Sequence, residues 1–253
     1  MARIAWTKRL VKLLAVAVLV AATCISLGIW QIARLHQRQQ FNTAVRAGLS
    51  APPAPVSSLL PPGVDPDAVR YRRAEASGTY DIAHEVVLYG RTQDSRAGNH
   101  LLTPLELDGG GSILVDRGWV PLEIDDPGSV GAAPPAGDVT VDGVLFASEG
   151  DPPGPVGSSP APTTTMSRVD LARIQDELPY RIAPVYLLLQ DQSPAQPEAL
   201  PVPAPLPELS EGPHLSYAIQ WFAFAAIALA GFVVLARREG DPAVSAPRQD
   251  EVG

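Results

Sequence analysis

The sequence predicts a membrane protein of the α+β class, in which two transmembrane helices, one per end, flank a small, mainly antiparallel β domain. That domain carries one short helix and lies outside the cytoplasm. Three observations lead there: two uncharged apolar runs of about twenty residues, a middle region of short apolar segments divided by turn residues, and basic side chains crowded beside the runs.

The first run, Leu13 to Ile32, has the ~20 residues that cross a ~30 Å hydrocarbon layer at ~1.5 Å per residue. The second, Leu215 to Ala236, belongs to the same length class and also lacks charge. Either run could be a buried core helix of a soluble protein, but two of this length, both flanked by Arg or Lys, argue against that. Arg3, Lys8, Arg9 and Lys12 precede the first run and Arg237 and Arg238 follow the second. The positive-inside rule then places both termini in the cytoplasm. Arg34, Arg38 and Arg46 weaken the asymmetry, yet two spans oblige both tails to share a side. A cleaved signal peptide is disfavoured by length and by the lack of a small-x-small cleavage site. A lipoprotein would use Cys24, but Ala21-Ala22-Thr23 is a poor processing signal, and a small buried cysteine is the default.

The predicted organisation is a cytoplasmic tail (1–12), a first transmembrane helix (13–33), a linker (34–69), a β-rich domain (70–192), a Pro-rich linker (193–212), a second transmembrane helix (213–236) and a cytoplasmic tail (237–253). Residues 1–49 carry seven basic side chains and no acidic ones, whereas 50–210 carry nine basic and 22 acidic. A nucleic-acid binder would concentrate Lys and Arg on its folded domain, so the partner is the lipid bilayer and no nucleic acid. The single cysteine rules out an intramolecular disulfide and a Cys pair for zinc. Prolines cluster at 52–66, 127–162 and 194–213, which reads as extended linkers and loops.

Within the domain, Val, Leu, Ile and Tyr recur in six candidate strands: Tyr71 to Tyr80, Glu85 to Arg91, Leu101 to Leu107, Ser112 to Val120, Val139 to Ala147 and Val185 to Gln190. They suit a compact sheet or a partly closed barrel. Asp108-Gly109-Gly110-Gly111 supplies the positive φ angles of a tight hairpin. One helix is expected from about Arg168 to Leu178, capped by Ser167 or Thr165 and stopped by Pro179. Residues 52–66 and 194–213 are too proline-rich for regular structure.

Catalytic signatures are missing, so the chain is not read as an enzyme. It has no G-x-S-x-G elbow, phosphate loop or dinucleotide fingerprint, and His84-Glu85 lacks a zincin's second histidine. One Cys and two Met disfavour copper transfer. Of four histidines, His36, His84 and His100 read as surface or hydrogen-bonded residues. His214 has company: from Pro213, a good helix start, it shares a helical face with Tyr217 or Ala218, Trp221 and Ala225. That face is either a metal-ligating imidazole set among flat rings or an interfacial aromatic belt. On the first helix, Trp30 and Arg34 stand one turn apart beside Gln31, where Arg34 could meet a lipid phosphate or a ligand carboxylate. His36 falls on the opposite side from Arg34.

Four segments in order resemble the surfeit locus one family: Leu27-Gly28-Ile29-Trp30-Gln31-Ile32-Ala33-Arg34; Tyr71-Arg72-Arg73 with Gly78-Thr79-Tyr80-Asp81; Ile113-Leu114-Val115-Asp116-Arg117-Gly118-Trp119-Val120-Pro121; and His214-Leu215-Ser216-Tyr217-Ala218-Ile219-Gln220-Trp221-Phe222. The resemblance spans nearly the whole chain. It implies a non-enzymatic assembly factor for haem-copper cytochrome c oxidase, associated with haem a passed from the haem a synthase toward the oxidase's catalytic subunit. It implies a haem-binding role for His214, ligating iron, with Trp30, Gln31 and Arg34 as the first-helix motif. Tyr217 and Trp221 join the expected cofactor face, with the ring between the outer halves of the helices. With the first span starting near residue 13, the bacterial cell membrane is the expected location. The alternative is a structural assembly factor that binds an oxidase subunit and holds no haem.

Overall fold

The computed structural model describes residues 7–125, 131–150 and 165–239. Two compact units result, Met1–Thr43 with Leu209–Gly253, and Ala44–Glu208.

In the first unit, α1 (Lys8–Ser50) and α4 (His214–Glu239) are both long and apolar enough to cross a membrane. Most of their apolar side chains face outward, with Leu19 68% and Ile227 65% exposed, which identifies a lipid-facing surface and not a soluble core. Inward positions recur at alternating intervals of four and three. They are Ala17, Ala21, Cys24, Gly28, Gln31 and Leu35 on α1, and His214, Ala218, Trp221, Ala225, Ala228 and Phe232 on α4. This 3.5-residue repeat is a coiled-coil seam, and its small residues let antiparallel helices approach closely. Ala21, Cys24 and Ala225 form its centre with Trp221 against them. A Cβ on Gly28 would lie 2.7 Å from the Phe222 ring, so that position must stay small. The first helix was expected to end at residue 33 and a linker to follow. It continues to Ser50, because residues 33–47 are mostly Ala, Arg, Gln and Leu, good helix formers with no Pro or Gly among them.

The second unit is built from β1 (Ala54–Pro55), β2 (Arg73–Tyr80), β3 (Val86–Gln93), β4 (Arg96–Leu107), β5 (Ser112–Pro121), β6 (Asp138–Ala147), β7 (Thr165–Met166) and β8 (Ile182–Ser193), with α2 (Val56–Leu59) and α3 (Leu171–Glu177). Of the two readings left open, the barrel is found. β2 pairs β6, β6 pairs β8, β8 pairs β5, β5 pairs β4, and β4 returns to β2 through Leu105 and Leu107. The other end of β4 pairs β3, so this one strand changes neighbours and closes the ring. All six expected strands are present. Two additions are β1 and β7, and the sheet is mainly antiparallel as expected but mixed, because β5 and β8 run parallel, as do β1–β2 and β3–β7.

Alternation along β2 sends Ala74, Ala76 and Tyr80 inward to meet Leu105, Ile113, Val115, Leu145 and Leu187. β5 is buried on both faces, since Leu114 packs outward against Val169, Leu171 and Ile174 around α3. That explains its unbroken Ile113-Leu114-Val115 run. The hairpin at Asp108–Gly111 is as expected, with Gly110 and Gly111 at φ 89° and 78° and Gly110 N–H donating to the Leu107 carbonyl. A second tight turn between β3 and β4 uses Asp94 and Ser95 at φ 51° and 63°, without the glycine that would have revealed it. α3 is capped by Asp170, whose carboxylate accepts from the N–H groups of Ala172 and Arg173, and not by Ser167 or Thr165, which lie upstream.

Of the two proline-rich segments, 52–66 departs from expectation, whereas 194–213 holds no helix or strand, as expected, and makes one isolated bridge at Val202. Between prolines, Val56, Leu59, Leu60 and Val64 pack onto the barrel core, so 52–66 contains β1 and α2 and covers one side of it. Segment 194–207 meets β5 at that bridge. Trp119 N–H donates to the Val202 carbonyl at 2.7 Å and Val202 N–H returns the bond at 2.9 Å. Proline removes donors, but the remaining apolar residues and carbonyls still find partners.

Asp81 follows β2 and accepts from Tyr180 Oη (2.5 Å), bonds His84 Nδ1 (2.5 Å) and accepts from Ala83 N–H (3.1 Å). Burial alone would raise its pKa, but the Tyr180 and His84 hydrogen bonds outweigh it and hold the carboxylate below its usual range. A depressed folded pKa gives stability that is present above the unfolded value of about 3.9 and lost as pH falls through the folded one. Asp81→Asn is therefore expected to lower the thermal midpoint at pH 7, with the gap to the parent narrowing below about pH 4. Melting curves of both proteins from pH 7 to 3 check this; a gap that holds constant contradicts it.

Candidate functional site

His214 opens α4 directly after Pro213, whose carbonyl accepts from Tyr217 N–H (3.1 Å) and Ser216 Oγ (2.8 Å). The imidazole is half-buried in the seam, and its Nδ1 lies 2.8 Å from Gln31 Oε1. An amide oxygen only accepts, so Nδ1 carries the proton and Nε2 presents its lone pair. Gly212, at φ 69°, borders the same ring; a Cβ there would sit 3.5 Å from Nε2, so glycine leaves that edge without a side chain over it. One imidazole oriented by a second residue is a competent iron or metal ligand.

Sequence reasoning grouped six residues, and the structure sorts them. Gln31 and His214 are joined directly. Trp221 is half-buried two turns further along the seam, edge-on to Phe224 at 5.9 Å. Trp30 and Tyr217 are exposed, at 50% and 46%. Arg34 stands over the Trp30 ring at 5.5 Å and donates to Gln37 Oε1 at 3.1 Å. The seam is filled by side chains at Gly28–Phe222 and around Cys24. Among the described residues there is no group of three His, Cys, Asp or Glu able to hold a bare metal ion.

In the barrel unit, Arg117 is completely buried. It donates to Glu85 Oε2 at 2.8 Å and to the Ala132 carbonyl at 2.5 Å, and stands over the Tyr80 ring at 5.6 Å. Thr103 Oγ1 donates to the same Glu85 oxygen. Burial pulls the Arg117 pKa down, and the Glu85 carboxylate opposes that and keeps it charged. The Arg117-Gly118-Trp119 motif thus binds the barrel to segment 194–207. Sequence offered no sign of Glu85 as its partner, since 32 residues separate them.

Two candidate membrane-spanning helices, a small mixed-sheet barrel between them in sequence, and an oriented histidine at a helix entry define an α+β protein with a helix at each end long and apolar enough to span a membrane. The chain belongs to the SURF1 family, whose model matches residues 18–226. Uncharacterized SURF1-like proteins of Mycobacterium bovis and Mycobacterium tuberculosis are 29% identical over 226 residues, covering 88% of this chain and 80% of theirs. A SURF1-like protein of Monosiga brevicollis is 27% identical across 88% of this chain and 87% of its own. Surfeit locus protein 1 of Mus musculus is 26% identical over 56% of this chain and 50% of its own.

Proposed function

We propose that this protein is an assembly factor for haem-copper cytochrome c oxidase, and that it binds haem a on the flank of its two helices for delivery to the oxidase's catalytic subunit. Family membership supports the assembly role and a non-catalytic one. The observation that carries haem binding is the Gln31–His214 hydrogen bond, which leaves Nε2 as the ligating atom. The residues fit the group: a single imidazole suits an iron whose other ligands come from a macrocycle. At about 100° per residue, Trp30 and Arg34 on α1 and Tyr217 on the antiparallel α4 point to one flank of the seam. Trp30 and Tyr217 would cover the ring there, and Arg34 would neutralise a propionate. Trp221 would back the imidazole from within the seam. Bound haem a supplies only its iron's affinity for the imidazole, which keeps transfer reversible. Haem a synthase would supply the cargo. The basic flanks of both helices support a bacterial cell membrane topology with both termini cytoplasmic and the barrel outside.

The second reading, a structural assembly factor without haem, is favoured by the same bond seen as interhelical glue, a use worth about 1 kcal/mol in membranes. Purification in detergent from cells that make haem a separates the two. A Soret band is expected in the parent, with at least tenfold less haem per protein in His214→Ala. No band in the parent supports the structural reading, and undiminished haem in the variant removes His214 as ligand.

A further inference from the structure

A cavity of about 260 Å³ opens in the barrel unit between β3, β5, β8 and segment 204–207. Its apolar wall includes Leu88, Phe146 and Leu188, and its polar wall Arg91, His100 and Tyr186. The β3 bulge between Leu88 and Arg91, where Gly90 has φ 74°, aims Arg91 into this wall. His100 is tied down: its Nδ1 lies 2.9 Å from Asp116 Oδ2, and the other Asp116 oxygen accepts from Gly118 N–H at 3.0 Å. Both side chains are nearly enclosed, at 12% and 5% exposure. Asp116 therefore takes the Nδ1 proton, and Nε2 is the ring nitrogen left to meet whatever enters.

Polar atoms around this cavity lack partners among the described residues. Arg91 uses Nη2 on Glu149 at 3.4 Å and leaves Nε unpaired; Gln93 Oε1 is unpaired as well. Leaving such atoms without partners is unfavourable, and a ligand can relieve it. The Tyr186 phenol is held protonated by burial and by the Glu149 and Asp116 carboxylates, against the pull of Arg91 and Arg70, so it keeps a proton to donate when an acceptor arrives. A bare metal ion is a poor occupant, as among the described residues no group of three His, Cys, Asp or Glu able to hold one is found. Donors from Arg91 and Tyr186, a basic Nε2 and an apolar wall match one chemistry.

We propose that this cavity is a binding site for a small organic carboxylate, taken up together with one proton on His100 Nε2. The carboxylate lies against Arg91, Tyr186 and the imidazolium, and its apolar body against Phe146 and Leu88. Uptake of the proton balances the added charge, because Asp116 and Glu149 already supply two carboxylates against Arg91. The site is separate from His214 and stands whether or not the protein carries haem.

Isothermal titration of the full-length protein in detergent with benzoate and with decanoate tests the proposal at pH 8, in two buffers of different ionisation enthalpy. Binding of at least one acid is expected, with uptake of about one proton per ligand. Tenfold weaker binding is expected in His100→Gln and several-fold weaker binding in Tyr186→Phe, which keeps the packing of the wall. Binding of benzoate assigns a small aromatic acid, and of decanoate alone a lipid-derived one. No binding of either acid, binding without proton uptake, or equal affinity in both variants with an unchanged thermal midpoint overturns it.

Discussion

Replacing Glu85 with Ala is expected to destabilise the barrel by about 3–5 kcal/mol, the usual cost of stranding one member of a buried ion pair. Arg117 and Glu85 are 0% and 1% exposed in their side chains, so water cannot take over the lost contact. The guanidinium would keep Ala132 and lose the Glu85 carboxylate, and Thr103 would lose its acceptor. For a domain of this size the thermal midpoint should fall by roughly 6–20 °C. Removing both charges together, as Glu85→Leu with Arg117→Met, should cost clearly less, because an apolar pair of similar volume avoids the desolvation penalty. Circular dichroism melts of parent, single and double variants measure this. A double variant as unstable as the single one would show that the charges themselves contribute, and not merely their pairing.

Gly118→Ala is the second large effect. Gly118 has φ 119°, and a Cβ there would lie 2.1 Å from the Val202 carbonyl oxygen, with backbone on both sides of the clash. The strained conformation costs about 1–3 kcal/mol, and forcing segment 194–207 away adds a comparable amount, giving about 4 kcal/mol in total. Gly63→Ala is the control, since φ is 79° there but nothing lies within 4 Å of the added carbon. It should lose only about 1 kcal/mol. Urea unfolding of the two variants isolates the clash from the backbone term. Equal losses would mean that Val202 moves aside freely and does not hold Trp119 in place.

How much of this was legible follows the range of each interaction. Strand cores such as Ile113-Leu114-Val115 and Ala74 to Tyr80 were visible because burial repeats along the chain itself. The turn at Asp94-Ser95 was hidden because neither residue is glycine, and its positive φ is imposed by the strands it joins. The first helix was ended early because charge defines a membrane span but not a helix, and residues 33–47 keep helical propensity after hydropathy is lost. At the candidate site, His214 was marked by its neighbours at three- and four-residue spacing. Its bond to Gln31 was not, because 183 residues separate the two. Trp30 and Arg34 were grouped with it by depth and Tyr217 by its three-residue spacing, and only the packed seam leaves all three on the exposed side.

By itself the sequence determined two apolar helices and six strands, since these depend on composition and on periods of 2 and 3.6 residues read within one segment. Only the tertiary structure decided that β4 closes a barrel, that the proline-rich segments pack onto it, that Arg117 finds Glu85 and that His100 finds Asp116. Each of those depends on contacts between distant segments, whose free energy appears only after the backbone entropy of closing the loops between them has been overcome.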